Sequence, residues 1–562
     1  WVKMDSFQRQ VFLAKNPGPA AIFFDEVIKA FIRIILKYNP TSDASGLFGK
    51  CTAYYAMIEA QGRGTLHCHM LIWLAGNPSP QELRDRMAAD SNYKCAMFQW
   101  LESIISCELP STKEVVKELN GPIPPPKMPS DWIDPRLHKK PDVRTMSENE
   151  FQAAFLTTVE DLVIKSNWHV HKPTCWKYLK VGQPHNDSTC RMRIDGSVHP
   201  VTHLDPETES IILRRLHPRI NNFNQLVMFL LRCNMDIKYI GSGEAAKALI
   251  YYVTDYITKS QVTTHVGLSA LEYAIKRNNE KFEGTEHAVT DLGKVNRSLF
   301  TKTVMALMSK QEISHQQVMS YLIGGGDYYS SHTFKTVKWG EIDRQAADNL
   351  SVEVPEDEEN EDNAEYTVHE DEVTLVVSEN YVGVSLQVLD YPCRSHDPVF
   401  NALSLWEHEE WVTKVSLSSE EKRNERAELA EAQKVLMAHD TGRDRRKCIT
   451  LRGRLDNQHP QASSHVARLR RSPLVNVLLG ETIPRPDRRP EEKEKWARAM
   501  LILFKPWRKA SDLRDDNESW ISAFERTEFS QEAKKVMKNM LVEYECKDAR
   551  DAYTALRKAG KV

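Results

Sequence analysis

The stretch Glu59-Ala60-Gln61-Gly62-Arg63-Gly64-Thr65-Leu66-His67-Cys68-His69-Met70-Leu71-Ile72-Trp73-Leu74 decides the fold class. Its second half is dense in aliphatic and aromatic side chains and reads as a strand, as does Tyr54 to Gln61. Gly62 to Thr65 between them is a hairpin signal, so the two strands are expected to pair antiparallel. Alternate side chains of a strand share a face, which sets His67 beside His69 and turns Cys68 to the other side, where a small apolar group packs well. Two adjacent imidazoles make a two-ligand arm for a divalent metal. Glu59 and Gln61 on the first strand both come within reach, depending on register. A carboxylate adds the charge that Mg²⁺ or Mn²⁺ favours, which selects Glu59. Such a set leaves coordination positions open for a phosphate oxygen. A His-x-His pair on a strand can equally face solvent with no metal, so its meaning depends on a partner elsewhere in the chain.

The partner is Ala245-Ala246-Lys247-Ala248-Leu249-Ile250-Tyr251-Tyr252-Val253-Thr254-Asp255-Tyr256-Ile257-Thr258-Lys259. At helical spacing Ala246, Ile250, Val253 and Ile257 form one apolar stripe. Tyr252 and Tyr256, four apart, share another face with Lys259, whereas Tyr251 projects elsewhere. Two phenols beside an ammonium suit attack on a phosphodiester, because a protonated tyrosine is a poor nucleophile and needs a neighbouring cation or base. The bland reading is a helix whose tyrosines cover the edge of a core.

Around these motifs the chain organises itself by composition. Residues 1–119 hold the first part of the domain with the histidines, including an amphipathic helix expected from Pro19 to Tyr38. Residues 120–147 are a proline-rich surface excursion, with seven prolines between Asn120 and Pro141. Residues 148–345 form the second part, with the tyrosine helix, which Ser242 is placed to cap. Residues 346–380 are an acidic linker, and residues 381–562 are expected to be mainly helical. The fold class is therefore α/β, an antiparallel sheet flanked by helices and followed by a mainly helical C-terminal region. Charge nearly cancels, 75 Lys+Arg against 78 Asp+Glu, so any nucleic-acid surface must be local. Ten cysteines without a dense framework fit a reducing compartment, inside the cell and in the nucleus or elsewhere. No apolar run approaches the ~18 to 20 residues that span a bilayer, so no membrane partner is expected. Absence of a GxxxxGK[ST] loop argues against ATP hydrolysis. The opening WVKMDSFQRQ, which lacks an initiator Met, suggests a start partway through a longer product.

A second ligand set lies in HVHKPTCWKYLKVGQPHNDSTCRM, where His169, His171, Cys175 and Cys190 are capable of tetrahedral Zn²⁺ ligation. The spacing is not that of a standard finger, and a loop with exposed histidines is the plain alternative. Arg214, Arg215 and Arg219 are read as phosphate contacts for DNA, and Trp168 or Trp176 as base-stacking groups, against the reading of a solvated basic face. Arg468, Arg470 and Arg471 form another basic run open to the same two readings.

Taken together the motifs resemble those of the rolling-circle initiators with an HUH motif, two histidines around a hydrophobic residue, and specifically of the Helitron transposases. EAQGRGTLHCHMLIWL, RCNMDIKYIGSGEAAKALIYYVTDYITKS and EISHQQVMSYLIGGGDYYSSHTF carry the resemblance in the family's order, followed by RLRRSPLVNVLLGETIPRPDRR and AMLILFKPWRKASDL. Cys/His-bearing segments like that of residues 169–192 also occur in the family. The resemblance implies a Rep/HUH nuclease core. It implies that a metal on His67, His69 and Glu59 or Gln61 polarises a phosphate of single-stranded DNA. Tyr252 or Tyr256 then attacks, leaving a 5′-phosphotyrosine and a 3′-hydroxyl, and the second tyrosine serves strand transfer. It also implies a fused helicase partner, which this chain lacks, and a first strand of which only Asn16-Pro17 is recognisable. The rival expectation is a transposon-derived DNA-binding protein that has lost catalysis.

Overall fold

The computed structural model describes residues 4–60, 65–78, 80–177, 179, 182–192, 194–206, 210–241, 264–282, 292–309, 314–348, 375–378, 381–384, 387–416, 451–462, 464–479, 483–487 and 489–558. The chain divides into two compact units, one of residues 1–263 with 311–330 and 545–562, the other of 264–310 with 331–544. Residues 264–310 and 331–345 thus group with the C-terminal region, a different division from the one drawn on composition.

The first unit opens with two helices. α1 (Ser6–Lys15) starts on an Asp5 capping box, and α2 (Pro17–Ala30) on Pro17, whose fixed φ and missing N–H suit the first helical turn. A wider π-type turn, Phe31–Ile35, continues α2 and covers most of the helix expected there. β1 (Cys51–Ala60) and β2 (Leu66–Leu74) pair antiparallel, as expected, with Ile58 opposite Cys68 and Glu59 opposite His67. Helices α3 (Pro80–Ala89) and α4 (Ser91–Ile104) follow. Further along, α5 (Glu148–Ser166) begins on a Ser147–Glu150 capping box. Two-residue strands β3 (His203–Leu204) and β4 (Ile211–Ile212) pair with each other, and α6 (Gln225–Leu231) is capped by Asn224. The helix His315–Leu322 then leads through Gly324 and Gly326, both at positive φ, into β5 (Tyr328–Ser330). Only glycine enters that conformation without strain, and the tight turn delivers β5 to the free edge of β1. The sheet order is β2-β1-β5.

An antiparallel sheet can bury one face and leave the other wet. Here Ala56 and Ile58 are buried on one face, with Tyr54, Met70 and Ile72 packing toward Ile35, Leu36, Phe48 and Val227. On the same face the Tyr329 hydroxyl donates to Asp25 of α2 at 2.8 Å, and Lys29 closes an ion pair with that carboxylate at 2.6 Å. Cys68 pairs with Ile58, and burial pushes its thiol up to about 12, so it stays an inert thiol.

A second core joins α5 and α6 through Val159, Leu162, Val163, Ile220, Phe223, Met228 and Phe229. Buried Asn167 fastens the entering chain, donating to the carbonyls of Asn221 and Met235 and accepting from the Met235 amide. Beside it the rings of Trp168 and His217 lie 4.3 Å apart, and His217 Nδ1 accepts the Arg219 amide.

Beside the helices expected over residues 381–562, the second unit also contains short strands. β6 (Phe334–Lys338), the hairpin β7 (Leu375–Ser378) with β8 (Tyr381–Val384), and β9 (Val412–Ser416) belong to it, as do β10 (Arg452–Arg454), β11 (His465–Leu469) and β12 (Val475–Leu479). β10-β11-β9 form one antiparallel sheet, and β12 runs parallel to β6. Strands this short carry too few alternations to outweigh the helical periodicity around them. The expected terminal helices are present, Pro490–Phe504 above all, whose Met500 to Phe504 are buried. Arg468 lies on β11 opposite Arg452 and Thr413, and Arg470 donates to the Thr413 hydroxyl. Ser418 to Met437, a charged stretch within the region expected to be mainly helical, lies outside the described residues. Among the described residues no helix is long and apolar enough to cross a membrane.

Burial pushes the pKa of His217 down to about 4, with the Arg215 and Arg219 charges acting the same way. The unfolded chain then takes up a proton near pH 6.5 that the folded protein refuses. The stability tied to neutral His217 is complete above about pH 6.5 and drains away as pH falls toward 4. Urea melts should show a steeper loss between pH 6.5 and 4.5 in the wild type than in His217→Asn; parallel profiles would refute the assignment.

Candidate metal centres

On the wet face of the β1–β2 hairpin, Glu59 and His67 are direct cross-strand partners and His69 follows two residues along. His67 Nε2 and His69 Nε2 stand 2.9 Å apart, and Glu59 Oε2 lies 3.6 Å and 3.5 Å from them. Cis ligands of a six-coordinate ion with bonds near 2.1 Å are about 3 Å apart, so the three atoms fit one face of such a polyhedron. His69 is exposed, which leaves the opposite face open. Burial, and then the field of His69, lowers the His67 pKa, favouring the neutral form that binds metal. Its Nδ1 is buried with no hydrogen-bond partner. Glu59 thus lies beside both histidines. Gln61 lies outside the described residues, as do Tyr251, Tyr252, Tyr256, Lys259 and the whole helix expected over Glu244 to Lys259.

The second centre is more enclosed. His169, His171, Cys175 and Cys190 bring one ligand atom each within 4.8 Å of the others, and both cysteines are buried. His169 Nε2 stands 3.1 Å from His171 Nδ1, 3.5 Å from Cys190 Sγ and 3.8 Å from Cys175 Sγ. Local turns produce this convergence. Cys175 closes a 3₁₀ turn begun by Pro173, and the Asn186 side chain caps the turn Asp187–Thr189 that presents Cys190. Burial pushes the His169 pKa down to about 4, helped by His171 and Arg219.

Outside the four ligands lies a network that sequence reading missed. His171 Nε2 lies 2.6 Å from Asp187 Oδ1 and 3.0 Å from Arg219 Nη1, while its Nδ1 faces His169. The Arg219 guanidinium is almost wholly buried and holds Asp187 at 2.6 Å and Glu118 at 2.7 Å. Arg219 is thus a structural clamp, and its expected role as a DNA-phosphate contact is corrected by its burial. Arg214 pairs with Glu102 at 2.9 Å and Glu108 at 3.1 Å, while Arg215 donates to the Ile220 carbonyl and Asn222. These two guanidiniums also serve the fold. Trp168 donates its indole N–H to the Ile123 carbonyl, and Trp176 stacks on His185 at 4.8 Å. Asp187, three residues before Cys190, was the one available signal; Glu118 sits at the edge of the proline-rich excursion and gives none.

Comparison with known proteins places one segment. Residues 3–72 match the family model described as Helitron helicase-like domain at N-terminus, a match that includes Glu59, His67 and His69. That segment is similar to the Helitron N-terminal domain. No curated protein and no solved structure gives a match.

Removing a buried charge that holds two carboxylates leaves them uncompensated, at a cost of ~3 to 5 kcal/mol. Arg219→Ala should lower the unfolding free energy by about that amount, read from urea titration, and a loss under about 1 kcal/mol would show that the carboxylates find other partners.

Proposed function

We propose that this protein nicks and transfers single-stranded DNA as the endonuclease part of a Helitron-type transposase. The observation that carries the reading is the convergence of Glu59, His67 and His69 on the open face of an antiparallel sheet, inside the segment similar to the Helitron N-terminal domain. A Mg²⁺ or Mn²⁺ ion held by the three supplies Lewis acidity to a phosphate oxygen. The chain's own part is to position the strand and to provide the nucleophile. The phenol of Tyr252 or Tyr256 gives its proton to solvent, Lys259 stabilising the phenolate. Its oxygen forms a bond to phosphorus as the bond from phosphorus to the 3′ oxygen breaks. The 3′ oxygen takes up a proton and leaves as a hydroxyl, and the 5′ end stays on the tyrosine. The second phenol repeats the attack on another strand. Single-stranded DNA and a helicase, fused or separate, are the partners, and the nucleus is the place where they meet.

The Cys/His centre suits a structural Zn²⁺. Ordinary Zn–N and Zn–S lengths in a tetrahedron put nitrogen pairs about 3.3 Å apart and nitrogen–sulfur pairs about 3.6 Å apart. The spacings of 3.1, 3.5 and 3.8 Å follow that pattern. Two thiolates and two imidazoles favour zinc over Mg²⁺.

Purified protein should carry about one zinc, a structural site being closed by four protein ligands. Cys190→Ser should lose the zinc and melt earlier, while retention of full zinc content would move the site elsewhere. With labelled single-stranded DNA and Mn²⁺, His67→Ala and His69→Ala should abolish nicking yet keep most DNA affinity, which rests on phosphate contacts. Trapped adducts should map by mass spectrometry to Tyr252 or Tyr256, and the double Phe variant should give none. Binding without any nicking by the wild type would favour the catalytically silent DNA-binding protein instead.

A further inference from the structure

The open face of the first sheet carries more than its three polar ligands. Tyr55 and Met57 of β1 and Leu71 and Trp73 of β2 share it by the two-residue period. β5 adds Tyr328, whose partner on β1 is Met57, itself opposite His69. Tyr328, Met57 and His69 therefore form one row across three strands. With neighbouring strands about 4.8 Å apart, Tyr328 stands roughly 10 Å from His69. The rings of Tyr55 and Tyr328 lie parallel, 5.8 Å between centroids and 4° between planes. Even so, Tyr328 is 51% exposed and Trp73 48%.

A wet sheet face is ordinarily polar, so large aromatic surface left in water marks a contact. The chemistry on the page narrows the occupant. An apolar helix laid over Tyr328 and Trp73 would also cover Glu59 and His69, burying polar groups without partners. Duplex DNA keeps its base faces stacked on one another. An unpaired nucleotide offers a flat ring for an aromatic platform, and its phosphate lies a short link away, within reach of the three ligands.

We propose that Tyr328, backed by Tyr55, is a stacking platform for one unpaired nucleobase beside the phosphate that Glu59, His67 and His69 receive. This rests on the reading of that face as one that takes single-stranded DNA. Base–aromatic stacking is worth about 1 to 3 kcal/mol per base, a factor of about 5 to 150 in affinity.

The test is fluorescence anisotropy with the full chain, a labelled mixed-sequence oligonucleotide and excess chelator, so that no cleavage enters. Tyr328→Ala and Tyr328→Leu should each weaken binding at least about 5-fold, whereas Tyr328→Trp should hold it. Leu keeps bulk against Tyr55 but offers no ring, which separates stacking from packing. A single abasic site walked along the oligonucleotide should reproduce the loss at one position for the wild type and add nothing there for Tyr328→Ala. Unchanged affinity in the Ala and Leu variants, or a loss that no abasic position reproduces, overturns the platform. Because the readout is metal-free affinity, a failure of nicking with the Tyr328 effect intact would sink the nuclease reading and leave the platform standing.

Discussion

The two-residue period of β1 and β2, locked by one buried face, determines which side chains this protein shows to solvent. Ala56 and Ile58 face the core, so Glu59 must face away from it, and pairing sets it opposite His67. A slip of β2 by one residue would turn its faces over, burying His67 and His69 and exposing Cys68, Met70 and Ile72. Burying those polar groups unpaired costs far more than the slip could return. The hydrophobic contacts of Ile35, Leu36 and Phe48 with the back of the sheet thereby hold the three ligands in register, although none of them touches the site.

The Cys/His centre is held by a different kind of force. Its candidate ligands sit on short turns, and the surrounding charges help to position them. Arg219 spans Glu118 and Asp187, and Asp187 in turn orients His171. Three segments far apart in sequence are tied at one buried guanidinium, whose planar fork of donors suits two carboxylates at once. The same positive charge helps keep His169 neutral, and a neutral imidazole is what a metal ligand must be.

Much of this was legible because the relevant physics is local. Alternation revealed the hairpin and the shared face of His67 and His69, and Glu59 followed from the charge a hard cation needs. The clustering of His169, His171, Cys175 and Cys190 was visible as ligand types at close spacing. What depended on distant pairing was not legible. Nothing near Tyr328 says that it joins β1, since that requires the glycine turn at 324–326 to deliver it. Arg214, Arg215 and Arg219 look like a phosphate-binding run in sequence, because the carboxylates that claim Arg214 and Arg219 come from other segments. The C-terminal strands were hidden for a related reason, being too short to show their own period.

Two imidazole nitrogens 2.9 Å apart beside a carboxylate have little structural use on an open sheet face. Burial and the field of His69 lower the His67 pKa, and the buried Nδ1 of His67 lacks any hydrogen bond. Solvent-exposed charge pairing contributes little to stability, about 0 to 1 kcal/mol, so the cluster is not explained by what it adds to the fold. A divalent cation at the two Nε2 atoms would accept both in their neutral form and balance the Glu59 charge. The aromatic surface beside the cluster would then have a matching purpose, because a ligand that brings a phosphate to such a cation also brings a base to stack.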